Sequence, residues 1–216
     1  MKKSQKITKE YRHASEYYRT LRTNLQYSAL NEKHKIFLFV SYELNEKMGS
    51  IISQLGLMFA KIGQRVLIVE GDLYRPRLHR FFQLNKEPGM SNVLLNEIPI
   101  GQAITEIEHN LHVLPSGPLV PHPNVVIGSM KMNSLLSHLK TNYDVILMTS
   151  PPMCFVNDAT ILSTHSSGVL FLIEEGKSKI GKVKLCQKQL NQVKANVIGT
   201  IFTKSSINSS SYYDNI

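Results

Sequence analysis

Tryptophan is absent from this 216-residue chain, and cysteine occurs only at Cys154 and Cys186. The two cysteines form no C-x-x-C pair and have no metal-ligand spacing. A disulfide framework and a cysteine-held metal are therefore excluded, and free buried thiols in a reducing compartment are expected. No apolar run approaches the roughly 18–20 residues that cross a bilayer. The N-terminal MKKSQKITKE is basic with no apolar stretch behind it, which is not the pattern of a secretory signal. A soluble, cytoplasmic protein is the expectation. Acidic residues are also scarce, 16 against 25 Lys and Arg, for a net charge of +9. The excess is uneven: residues 1–35 hold nine of the basic side chains and three of the acidic ones. A basic N-terminal arm suits an anionic partner, whether a membrane surface, an acidic protein tail or nucleic acid.

What is present is a real core and a strong pattern. Apolar residues make up 42% of the chain and charged ones 19%, which excludes wholesale disorder. Unbroken apolar runs recur at 36–40 (IFLFV), 66–69 (VLIV), 145–148 (VILM), 169–173 (VLFLI) and 197–202 (VIGTIF), with a shorter one at 111–114. Runs rich in Val and Ile without alternation are the mark of strands buried on both faces, hence of a parallel sheet. Between them lie stretches of helical period: Ile51, Leu55, Met58 and Phe59, ended near Gly63; Leu135, Leu136 and Leu139; and 183–193. Strand and helix alternating through short joins predict a doubly wound, mostly parallel α/β sheet flanked by helices in three layers. No repeat or interdomain linker interrupts it. One domain over 1–204 is expected, opened by a helix at about 12–30 with Tyr18, Leu21, Leu25 and Leu30 on one side. The Ser/Asn-rich segment 205–216 is expected to be a flexible tail.

In an open parallel sheet ligands bind at the carboxyl ends of the strands, so the loops after the apolar runs come first. Behind the first run stands Ser41-Tyr42-Glu43-Leu44-Asn45-Glu46-Lys47-Met48-Gly49-Ser50, then an amphipathic helix. Strand, loop of this length and helix make the frame of a phosphate-binding loop. Such a loop needs glycines at its sharp turns, a lysine for the phosphate oxygens and a hydroxyl for magnesium. Asn45 and Lys47 stand at the glycine positions, Met48 at the lysine and Gly49 at the hydroxyl. After the second run come Glu70-Gly71-Asp72-Leu73-Tyr74-Arg75-Pro76, then Arg77, His79, Arg80 and Phe82. After the run at 145–148 come Thr149-Ser150-Pro151-Pro152 and Asn157-Asp158-Ala159. The histidines are scattered, with no Ser/His/Asp or paired-histidine spacing.

Together with Glu16-Tyr17-Tyr18-Arg19-Thr20-Leu21-Arg22-Thr23-Asn24, these segments resemble the bacterial tyrosine kinases of capsule and exopolysaccharide synthesis, a P-loop family. The resemblance runs in order from about Ser15 to Tyr213. The family pattern has E-x-x-R-T-L-R-T-N in the first helix and a Walker A loop P-G-E-G-K-S/T. A second acidic motif, D-A-D-L-R-R-P-x-x-H-x-x-F, follows, then a Walker B segment ending V-I-I-D-T-P-P and a C-terminal tyrosine cluster. It implies ATP and magnesium as cofactors, held by the Walker A lysine and hydroxyl, by the paired acids after the second strand and by the Walker B aspartate.

Here those positions are Met48, Gly49, Glu70 and Thr149, and Asp72 alone among the carboxylates is unchanged. Phosphoryl transfer is mostly positioning and charge neutralisation, so damage to three motifs predicts transfer close to nil. No cofactor is then expected unless a re-formed loop still binds ATP and Mg²⁺. Lys47, one position early, and Ser50, one late, would supply the cation and hydroxyl, and the longer Glu70 would reach the metal. By the same resemblance, Glu16, Arg19 and Arg22 form a face that docks on a neighbouring subunit, itself or an active homologue. Tyr212 and Tyr213 are candidate phosphoacceptors, and a membrane-anchored chain-length regulator is the adaptor that offers recruitment to the inner face of the plasma membrane. A residually active tyrosine kinase or ATPase is the first alternative function. A partitioning-type DNA-associated protein is the second, prompted by the basic stretch from Arg75 to Arg80. Against it, no recognition helix or aromatic-interleaved basic face is present, so nucleic acid is not the expected partner.

Overall fold

The structure, a computed structural model, describes residues 16–28 and 35–203. The apolar runs become strands β1 (Lys35–Ser41), β2 (Val66–Val69), β4 (Leu111–Leu114), β5 (Val145–Met148), β6 (Gly168–Glu174) and β7 (Val197–Thr203). With β3 (Thr105–Glu108) they form one seven-stranded sheet in the order β3-β4-β2-β5-β1-β6-β7. Every pairing is parallel except β3 with β4. The sequence pattern does not reveal β3: its TEIE is mostly exposed, and it needs only one strand partner at the edge of the sheet.

The strands are buried on both faces, and their period of two distributes side chains to two cores. Ile36, Leu38 and Val40 of β1 join one cluster with Leu135, Leu136 and Leu139 of α7 (Met130–Asn142) and Leu190 of α9 (Ile180–Gln192). Phe37 and Phe39 turn the other way, onto Ile51, Ile52, Leu55 and Phe59 of α2 (Met48–Ala60). The same cluster takes in Leu25 of α1 (16–28), with Tyr18 and Leu21 packed partly against it. Helix, sheet, helix is thus the three-layer arrangement the pattern predicts. The expected helix at 12–30 is seen over 16–28; Leu30 lies outside the described residues, as do Tyr212 and Tyr213.

α2 ends as its sequence suggests, with Gly63 at φ +84°, where a side chain would strain the backbone. Five short helices fill the connections: α3 (Leu78–Phe81), α4 (Met90–Leu94), α5 (Ile100–Ala103), α6 (Pro123–Ile127) and α8 (Asp158–Ser163). Their four to six residues are too short for a helical period to register. Cys186 is buried and Cys154 half-buried; both are free thiols. Among the described residues no helix is long and apolar enough to cross a membrane.

Strand order is what builds the site. β2, β5 and β1 are consecutive neighbours in register, Val69 and Leu38 both pairing with Met148. The loops that leave their carboxyl ends, beginning at Tyr42, Glu70 and Thr149, therefore open side by side.

Candidate functional site

These three loops enclose a cavity of about 510 Å³ lined by Asn45, Glu46, Met48, Gly49, Glu70, Asp72, Arg75, Arg77, Arg80, Phe81, Thr149 and Ser150, among others. Most of the residues singled out in the sequence thus come together. Lys47 and Ser50 do not line the cavity. Lys47 is exposed at the N-cap of α2 with right-handed φ −84°, and the Ser50 hydroxyl turns to Tyr18 of α1.

The first loop is held as an ordinary strand-to-helix turn. No residue from 42 to 50 has a positive φ, so Asn45 and Lys47 do not take the left-handed conformation that glycines supply in a phosphate loop. Instead the Asn45 side chain accepts from the Lys47 amide at 3.0 Å and donates to Thr203 Oγ1 at 3.3 Å. Met48 is buried with Ile51, Ile52 and Leu55. A thioether at this position packs; it cannot neutralise phosphate. Gly49 lies beside Phe81 of α3, where a Cβ would make ordinary contact with the ring at 3.8 Å.

The acidic positions are tied to each other. Glu70 is 2% exposed. Its Oε2 accepts from the Arg77 and Leu78 amides at 2.6 and 2.7 Å, capping α3, and its Oε1 accepts from the Thr149 hydroxyl. That hydroxyl in turn accepts from the Gly71 amide at 3.0 Å. Burial pushes the Glu70 carboxyl up from its ordinary value. The Leu78 amide, the Thr149 hydroxyl and the Arg77 amide pull it down, the charge of Asp72 adds a further push, and the net direction is upward. Asp72 Oδ1 accepts from the Tyr74 and Arg75 amides at 3.0 and 2.9 Å, closing a tight turn.

Gly71 makes this arrangement possible. A Cβ on it would fall 2.3 Å from the Thr149 carbonyl oxygen, so the ends of β2 and β5 approach more closely here than any side chain permits. The sequence signal for this contact is the glycine standing where D-A-D has alanine. Ser150 ties β5 to β1 from the other side by donating to the Phe39 carbonyl at 3.0 Å.

A magnesium ion does not fit these residues. Both Glu70 oxygens already have donors, and the neighbouring position offers a hydroxyl whose proton points at Glu70. Among the described residues no group of three Asp, Glu, His or Cys side chains is arranged to hold a metal. Beside the cavity, Asp158 is buried and its Oδ2 lacks a hydrogen-bond partner among the described residues. Burial raises its carboxyl pKa, and the Tyr74 hydroxyl, itself raised by burial and by the Asp158 charge, faces it.

No family model matches the chain. Individual proteins do. The chain is 30% identical over 200 residues to the tyrosine-protein kinase YwqD of Bacillus subtilis, covering 92% of this chain and 84% of that one. It is 26% identical over 201 residues to the tyrosine-protein kinase CpsD of Streptococcus agalactiae, covering 92% and 86%. The crystal structure of the chimerical protein CapA2B2 superposes with a TM-score of 0.83 at 27% identity, over 88% of this chain and 84% of that one. The match to YwqD runs through nearly the whole of both proteins, and the sheet is shared with CapA2B2; the chain belongs to the bacterial tyrosine kinase family.

Proposed function

We propose that this chain is a catalytically degenerate member of its family, a pseudokinase subunit that modulates capsular or exopolysaccharide biosynthesis. It acts through oligomerisation, by way of Glu16, Arg19 and Arg22, and through a membrane-anchored adaptor of the chain-length-regulator type. It comprises one domain over 1–204 and a tail, 205–216, whose Tyr212 and Tyr213 are phosphoacceptors for a competent neighbour.

The observation that carries the loss of catalysis is the hydrogen bond between Thr149 and Glu70. Two carboxylates around a metal repel each other until the metal is bound. A hydroxyl and a carboxylate bond directly and need none. With Met48 in the lysine position and Lys47 outside the cavity, the loop adds no cation to compensate. Each missing preorganised charge costs about 10²–10³ in rate, so several together leave no measurable transfer.

Titration calorimetry with Mg²⁺·ATP, paired with an autophosphorylation assay on the full chain, is the test. No tyrosine phosphorylation and no magnesium-dependent tightening are expected. Micromolar, magnesium-dependent ATP binding with phosphate appearing on tyrosine would sink the reading and favour the residually active kinase.

A further inference from the structure

The basic excess of the chain has a second seat, far in sequence from the first. Residues 176–203 hold six lysines, Lys177, Lys179, Lys182, Lys184, Lys188 and Lys194, and no aspartate or glutamate. Outside this stretch and residues 1–35, acidic side chains outnumber basic ones, thirteen to ten. A field of one sign over α9 is therefore a local feature and not a consequence of overall composition. All six lysines are exposed. Two are engaged: Lys177 pairs with Glu174 at 3.5 Å, and the Lys182 ammonium lies 5.6 Å from the centre of the Tyr42 ring. The other four have no carboxylate within ion-pair distance among the described residues.

α9 is fastened to the sheet by one side. Cys186 and Leu190 are buried in the core, and Val183 packs partly against it. At about 100° per residue, Lys184 and Lys188 stand on the opposite side, with Ile180 on one flank and Leu185 on the other. Ile180 is 75% exposed and Leu185 49%. Phe202 of β7, 62% exposed, pairs in register with Ile173, which packs against the same core cluster as α9. Neighbours in register point to one side of a sheet, so Phe202 stands on the α9 side, on the edge strand.

Lysines set between protruding aliphatic and aromatic side chains suit one class of anion. A nucleic acid offers phosphates but no apolar layer for Ile180, Leu185 and Phe202. An anionic bilayer offers both, headgroup phosphates for the ammonium groups and the acyl boundary just beneath for the apolar side chains. We propose that the outer face of α9, together with Phe202 of β7, docks directly on an anionic lipid surface. The contact needs neither an adaptor nor any state of the cavity, so it stands or falls apart from the pseudokinase proposal.

Co-sedimentation of the full chain with vesicles tests it, comparing equal parts of phosphatidylglycerol and phosphatidylcholine with phosphatidylcholine alone. Binding to the anionic vesicles only is expected, weakening as salt rises. Lys184→Gln/Lys188→Gln should weaken it about tenfold or more, since each lysine near such a surface contributes about fivefold. Lys2→Gln/Lys3→Gln, the same loss of charge in the N-terminal arm, should cost less. Ile180→Ser/Leu185→Ser should bind at low salt but let go at lower salt than the wild type, because the apolar contact is the part that salt does not screen. All these positions on α9 are exposed, so melting temperatures should match the wild type. If the serine variant melts lower, Phe202→Ser takes its place. No binding to anionic vesicles, equal binding by the α9 lysine variant, or a loss as large in the arm variant overturns the docking face. An unchanged salt profile in the serine variant rejects a lipid surface as its occupant. So does duplex DNA bound through Lys184 and Lys188 at salt where vesicles are not.

Discussion

One methylene separates Glu70 from the aspartate of the family's acidic motif, and the longer stem reaches two amides of α3 and the Thr149 hydroxyl at once. The two substitutions belong together: an aspartate at 149 would set a second carboxylate against Glu70, and a shorter acid at 70 would leave the α3 amides behind. Thr149→Val removes the hydroxyl at nearly constant volume and leaves a buried carboxylate one donor short. A loss of about 1–3 kcal/mol is expected on this account. The pH dependence has a definite sign. A carboxyl whose folded pKa lies above its ordinary 4.5 binds its proton more tightly when folded. Its contribution to stability is therefore complete below about that ordinary value and is lost as pH rises through the raised one. In Thr149→Val the window should extend to higher pH, because the donor that lowered the pKa is gone. Denaturant melts of both proteins between pH 4 and 8 decide it (about four pH units suffice): a Val variant with unchanged stability and the same pH slope would show that the hydroxyl does not support the carboxylate.

At the scale of elements, the site depends on how closely the ends of β2 and β5 approach, and Gly71 governs that distance. Gly71→Ala places a methyl group 2.3 Å from the Thr149 carbonyl oxygen, so one strand end must move. The expected cost is about 1–3 kcal/mol, as for other overpacked positions. The displacement should also separate Thr149 from Glu70, so Gly71→Ala combined with Thr149→Val should cost less than the sum of the two. Strict additivity in a double-mutant cycle would uncouple the strand approach from the hydrogen bond.

Much of this level was legible beforehand. The runs at 36–40, 66–69 and 145–148 name the three strands whose loops meet, and the period of Ile51, Leu55 and Phe59 names α2. β3 was not legible, because its burial is slight and its pairing comes from the edge of a sheet that no local pattern encodes. The longer stem of Glu70 suggests reach toward a metal; that its partners are the Arg77 and Leu78 amides at the start of α3 does not show in the sequence, since α3 is too short to show a period. Lys47 and Ser50 illustrate the same limit. One position in sequence turns a side chain by about 100° on a helix, and Ser50 consequently meets Tyr18 of α1 instead of the cavity.

At the scale of the whole molecule the basic excess concentrates toward the N-terminus, and α1 carries part of it on a helix anchored from below. Leu25 is buried against the α2 side of the sheet, while the Glu16–Arg19 pair, 3.2 Å apart, is more than half exposed on both members. An exposed i,i+3 pair of this kind contributes only a few tenths of a kcal/mol to the fold. Arg22 is half-buried, and its Nε has no partner among the described residues. If this face serves a neighbouring subunit, as proposed, Arg19→Glu/Arg22→Glu should dissociate the assembly while leaving the monomer's melting temperature nearly unchanged. Internal stability hardly depends on Arg19, whereas a contact made through the arginines meets like charge after reversal. Static light scattering across a protein dilution series gives the answer. A wild-type mass that falls to the monomer in the double variant supports the docking face. A wild-type chain already monomeric at high concentration, alone and mixed with an active family member, or a double variant of unaltered mass, rejects it.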